Sequence, residues 1–319
     1  MSNKDDVLNK NAGLTFEQAR KRIENMTFVN NFLFNSVMEN PETAKEVSKI
    51  VISTVIGHEV TIKDVIAEKV VNGIDTGLHG VRFDALIISE SDALDEKGNT
   101  EVAYDFEAED READRPGLPR RQRYYSAMVD SKLLESRAPY ETLPDYVSIT
   151  VLSYDPFYAG DMYYEAKTVL TSHPNLCYDD GRTNYFFYGL GRNNLPAEKF
   201  DNKTVAGLMR YIVTGEKADE ATSAVNKLDS IIRAVKGRTE VTKRYMKEWD
   251  RQRLHDIELT REVTERVTEE VTEKVTEKVT EQVRGDDTRL FVDLMNKQGI
   301  PDDKIQDMIK EIESARKTD

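Results

Sequence analysis

Between Arg238 and Arg284 the chain runs 47 residues without a glycine or a proline. Such a run reads as one helix, ~70 Å long at 1.5 Å per residue. Inside it lies a tetrapeptide repeat, with valine at 263, 267, 271, 275, 279 and 283, each but the last followed by threonine. As a strand, a period of four would place Val and Glu on one face, which gives no amphipathic surface. As a helix, the valines form an i, i+4 stripe, so helix is the better reading. Val and Thr each cost ~0.5 kcal/mol relative to Ala. Pairs such as Lys274 with Glu277 and Lys278 with Glu281 return only ~0.2–0.5 kcal/mol each. The helix is therefore marginal alone and would be steadied by self-association. The stripe advances ~40° per repeat, against the sense of a heptad, so a regular left-handed coiled coil is not specified. Two readings stay open: a homo-oligomer built through this C-terminal helix, or a solvated charged spacer.

The run divides the chain into a main domain over 15–236, a low-complexity helical stalk over 238–284, and a tail over 286–319, with Gly285 ending the stalk. The tail offers a short helical hairpin around Gln298-Gly-Ile-Pro-Asp302, one helix carrying Leu290, Phe291 and Leu294, the other Ile305, Met308, Ile309 and Ile312. Its many acids favour a packing or docking role over DNA reading by a helix-turn-helix. Net charge of -14 argues against a protein that coats nucleic acid non-specifically, though not against a local basic groove. A single cysteine, Cys177, excludes an internal disulfide and a cysteine zinc site and reads as a buried thiol. The four histidines lack metal-ligand spacing. The start is polar and no run reaches ~18 apolar residues, so a soluble, cytoplasmic protein without a membrane partner is expected.

In the main domain, residues 15–57 read as helical, followed by strands at Val65–Val71, Val81–Ser89 and Glu101–Glu109, the last two joined by a hairpin loop at Ser91–Thr100. Pro119 suits the first turn of a helix to about Glu135. Tyr146–Tyr154 is apolar enough for a central strand; Met162–Thr171 and Thr183–Leu190 look more peripheral, and helices resume from Val205. This order predicts an α/β fold with a mixed sheet.

Alternation locates the chemistry. In Val81–Ala85 the polar Arg82 and Asp84 share one face; in Tyr104-Asp-Phe-Glu-Ala-Glu109 the acids Asp105, Glu107 and Glu109 share one face and Tyr104, Phe106 and Ala108 the other. Paired as a hairpin, the two strands would crowd three or four carboxylates together. Two such charges ~4 Å apart repel by ~4 kcal/mol at an effective dielectric near 20. Raised pKa values, arginine partners or a divalent cation relieve this, and Mg²⁺ suits one or two carboxylates plus phosphate oxygens and water. The bland alternative is a strand whose polar side faces solvent. Next comes Leu118-Pro-Arg-Arg-Gln-Arg-Tyr-Tyr125, in which arginines at a helix start are equipped to hold a phosphodiester backbone, or simply to pair with the acids.

These motifs, with Phe32-Leu-Phe-Asn-Ser-Val, Gly80-Val-Arg-Phe-Asp84, Ser126-Ala-Met-Val-Asp130 and Tyr146-Val-Ser-Ile-Thr-Val-Leu-Ser-Tyr-Asp-Pro-Phe157, resemble the PD-(D/E)XK nuclease superfamily, specifically its Rpn branch of recombination-promoting, transposase-like nucleases. The likeness covers roughly Phe28 to Tyr211. It implies a restriction-endonuclease-like core, a mixed central sheet flanked by helices, and DNA cleavage dependent on Mg²⁺ (or Mn²⁺). Asp84 and Glu107 match the two metal-binding acids. The motif's lysine position is Glu109, where the branch usually shows glutamine, and Phe83 stands in place of the proline. Glu109 would then be a third ligand or assist the water, and Arg121 and Arg123 match helix arginines that contact phosphate. The alternative is a catalytically silent DNA-binding or assembly protein that keeps the fold and oligomerises through its tail.

Overall fold

The computed structural model describes residues 13–67, 70–71, 81–82, 85–90, 101–134 and 136–315. The chain divides at Glu248/Trp249 into two compact units.

The first unit begins with three helices, α1 (Phe16–Glu24), α2 (Asn31–Met38) and α3 (Pro41–Ile56). Each starts where a side chain caps free amides: Thr15 and Gln18 form a reciprocal capping box, Asn30 accepts from Leu33 N, and Asn40 accepts from Thr43 N ahead of Pro41. Strands β1 (Thr61–Ala67), β2 (Val70–Val71), β3 (Val81–Arg82), β4 (Ala85–Glu90) and β5 (Glu101–Glu109) follow. After a 3-10 turn at Glu112–Gly117 come α4 (Leu118–Leu133), β6 (Asp145–Leu152), β7 (Tyr163–Ala166), β8 (Arg182–Tyr188), α5 (Asn202–Thr214) and α6 (Ser223–Lys236).

Six strands form one mixed sheet in the order β1-β4-β5-β6-β8-β7, while β2 and β3 pair separately. β1, β4 and β5 are antiparallel neighbours; β5, β6 and β8 run parallel; β7 closes the edge antiparallel to β8. The mixed α/β sheet flanked by helices is as expected. The strand read over Val65–Val71 is instead two, β1 beginning earlier at Thr61. β8, read as peripheral, lies inside the sheet between β6 and β7, because β7 turns back outside it. The expected loop at Ser91–Thr100 lies outside the described residues.

Alternation along the strands sends two kinds of side chain to two sides. Tyr104, Phe106, Ile149, Val151 and Phe187 point into a large apolar core with α2, α3, α5 and α6. Gly189, past the end of β8, is required for this packing: a Cβ there would lie 2.6 Å from Val213 Cγ2 and 2.7 Å from the Met209 carbonyl oxygen on α5. On the other side α4, the crossover between parallel β5 and β6, is the helix that covers the sheet among the described residues. It is fixed by two small apolar clusters, Met128 and Val129 with Leu86, Ala103 and Tyr146, and Leu118 with Leu152, Tyr154 and Phe186.

Helix α7 spans Thr239–Lys297 and α8 Asp302–Ala315. In the first unit, Arg244 bonds Glu39 and Ser36 and lies over the Phe32 ring, against which Tyr245 also packs edge-on. In the second unit the helix runs on through Gly285, which therefore does not end the stalk. One glycine costs only ~1 kcal/mol against alanine in a helix interior, a loss that a helix of 59 residues absorbs. The first helix of the expected hairpin is thus the end of α7, and Gly299 (φ 78°) makes the turn to α8. The repeat valines are each about half exposed. Threonines 264, 268, 272 and 276 donate to the carbonyl oxygen four residues back at 2.6–2.7 Å. Cys177 is exposed, not buried as its type suggests.

Candidate functional site

Between the two apolar clusters that fix α4 lies a buried polar layer. β5 contributes Asp105 (0% exposed) and Glu107 (4%), β6 contributes Ser148 and Thr150 (both 0%), and α4 contributes Gln122 (2%) and Ser126. The register explains the grouping: Asp105 pairs with Ser148 and Glu107 with Thr150, so side chains of like parity meet on the α4 side.

Gln122 is the hub. Its amide nitrogen donates to Glu107 Oε2 at 2.8 Å and to Thr150 Oγ1 at 3.3 Å, while its amide oxygen accepts from the Ser148 hydroxyl at 2.8 Å. At one end the Tyr146 hydroxyl donates to Asp105 Oδ2 at 2.8 Å. Burial first, then the Asp105 carboxylate, pushes that phenol well above its usual range. At the other end Arg121 binds Glu109 Oε2 and stands 3.6 Å from Glu107 Oε2, and the Tyr154 hydroxyl donates to Glu109 Oε1 at 3.0 Å. Burial opposes the charge on Arg121, but Glu107 and Glu109 outweigh it and hold the guanidinium above its usual range. Burial, then Glu109, likewise raises Tyr154. Arg121 Nε is buried with no hydrogen-bond partner among the described residues.

Of the residues singled out by sequence, the structure brings Glu107, Glu109 and Arg121 together. Asp84 lies outside the described residues; its sequence neighbour Ala85 is paired with Phe106, the neighbour of Glu107. Arg123 does not join the group. Leu118, Gln122, Ser126 and Val129 define the inward line of α4, which leaves Arg123 exposed. Glu109 is not placed as a free ligand, because both its oxygens are engaged by Arg121 and Tyr154. Among the described residues no three metal-ligating side chains cluster. The donor chemistry fits a hard divalent cation at Glu107 only with Asp84 as the second carboxylate.

Gln122, Ser148, Thr150, Tyr146 and Tyr154 escaped the sequence reading. For β6 the signal was present, since Tyr146, Ser148 and Thr150 alternate with Val147, Ile149 and Val151. Gln122 is marked only by its spacing of four from both Leu118 and Ser126. No family model matches the chain, nor does any curated protein or solved structure.

Proposed function

We propose that the chain is a metal-dependent DNA endonuclease with the restriction-endonuclease-like arrangement its motifs resemble, acting in recombination or mobile-element DNA processing. The observation that carries this reading is the buried carboxylate of Glu107, oriented by Gln122 and flanked by Arg121 on a strand whose partner begins one residue after Asp84. A structural role alone gives little reason to bury that charge, since an apolar layer of equal volume is as stable or more so. The group also lies toward the carboxyl ends of parallel β5 and β6, where open α/β sheets bind ligands.

Asp84 and Glu107 are the residues that would hold Mg²⁺ or Mn²⁺, which supplies Lewis acidity at the phosphate and a more acidic water. Gln122 fixes the Glu107 carboxylate through one oxygen. Arg121 supplies, from the helix, the cation that the superfamily draws from a strand lysine, and Glu109, at that lysine's position, anchors it. The Arg121 side chain keeps about a quarter of its surface exposed, and its guanidinium is a donor for a phosphodiester oxygen. Plasmid nicking in Mg²⁺ against EDTA tests the reading. Wild type nicks only with metal, and Asp84→Ala and Glu107→Ala each lose at least ~100-fold; nicking by either variant at the wild-type rate overturns it.

The full engagement of Glu109 by Arg121 and Tyr154 favours a second reading, a catalytically silent DNA-binding or assembly protein that oligomerises through α7. Titration calorimetry with Mg²⁺ and Mn²⁺ separates the two: binding lost in Asp84→Ala supports the nuclease, and no binding supports the silent protein.

A further inference from the structure

The loop after β6, Asp155-Pro-Phe-Tyr-Ala-Gly160, is held more tightly than a connection needs. The Asp155 carboxylate accepts from Phe157 N at 3.0 Å, Gly160 N at 2.6 Å and the Tyr164 hydroxyl at 2.8 Å. Arg192 donates to the Ala159 carbonyl and to Asp161 at 2.8 Å each, and the backbone bonds Arg192 N to Gly160 O and Met162 N to Arg192 O. Gly191 permits that approach, since a Cβ there would lie 2.5 Å from the Asp161–Met162 backbone. Phe157 packs edge-on against Tyr164 and Phe186.

All this bracing displays one side chain. Tyr158 has φ 61°, a left-handed conformation unusual for a residue with a bulky side chain, and is 78% exposed. Its ring lies over the Arg115 guanidinium, 4.2 Å from centroid to Cζ, and Arg115 also faces the Tyr154 ring at 5.3 Å. Tyr154 in turn donates to Glu109, which holds Arg121. A rigid, cation-backed ring is thus joined to the Glu107 group through one chain of contacts.

We infer that Tyr158 is a stacking platform for an unpaired nucleobase, so that the substrate of this site is single-stranded or locally opened DNA. The inference rests on the DNA reading above. Stacking suits every base and needs no net positive charge, which matters in a chain of net charge -14, where phosphate contacts alone give weak binding. Arg115 keeps the ring in place and strengthens the stack by a cation–π contact.

Fluorescence anisotropy in EDTA, with the full chain, tests this. The probes are a labelled oligo-dT strand, an all-abasic strand of equal length and a duplex. The expected result is oligo-dT bound more tightly than the abasic strand, a loss of about ten-fold in oligo-dT affinity in Tyr158→Ala with abasic binding unchanged, and retention in Tyr158→Phe. Far-ultraviolet dichroism and melting of both variants report folding. Equal binding of oligo-dT and abasic strands by wild type, or equal affinities of wild type and a folded Tyr158→Ala, overturns the platform while leaving the DNA reading standing. No binding to any of the three probes overturns the DNA reading itself.

Discussion

The two faces of the central sheet are built on opposite plans. One face meets a layer of several helices through an apolar core in which Phe106 contacts Phe28 and Phe34 at centroid distances of 6.4 and 5.4 Å. The other, among the described residues, meets α4 through a hydrogen-bonded layer with an apolar cluster at each end. Both faces come from the same strands, residue by residue, so the difference is not one of location or exposure. Stability is concentrated on the first face, and the second keeps buried polar groups that cost free energy to desolvate and return most of it only while every partner is present.

That contrast can be broken by measurement. The largest effect belongs to the apolar side: Phe106→Ala should lower unfolding free energy by ~4 kcal/mol in chemical denaturation, leaving a cavity that packed helices cannot fill. A loss below ~1 kcal/mol would mean the core is looser than its burial implies. On the polar side Gln122→Leu should cost ~2 kcal/mol, because it strands Glu107, Ser148 and Thr150 without a common partner. The smallest stability change is expected for Glu107→Gln, within ~1 kcal/mol of wild type, since it removes a buried charge yet leaves Arg121 its bond to Glu109. Metal-dependent nicking should nevertheless vanish in that variant. A large destabilisation by Glu107→Gln would make the carboxylate part of the scaffold and erase the distinction between the faces.

The alternation in Tyr104–Glu109 was readable because a strand's period of two is short, and six residues suffice to show it. The helical character of Arg238–Arg284 was readable for the same local reason. Gln122 was not, because Leu118–Tyr125 is too polar to show which of its residues turn inward; the sheet decides that. The same ambiguity made Arg123 look equivalent to Arg121, two positions and ~200° away on the helix. The place of β8 inside the sheet, and the tie between Glu109 and Tyr154, 45 residues apart in sequence, depend on pairings between distant segments. No local pattern encodes them.

The threonine bonds along α7 have an outcome for how that rod meets water. With its hydroxyl turned onto a carbonyl of the preceding turn, each threonine offers its methyl group outward beside a half-covered valine. Together they make a greasy ribbon two residues wide. Because each repeat shifts it by ~40°, five repeats carry it through roughly half a revolution, and the rod has no single front. A neighbour laid straight along the rod therefore meets methyl groups over only part of its length and charge over the rest.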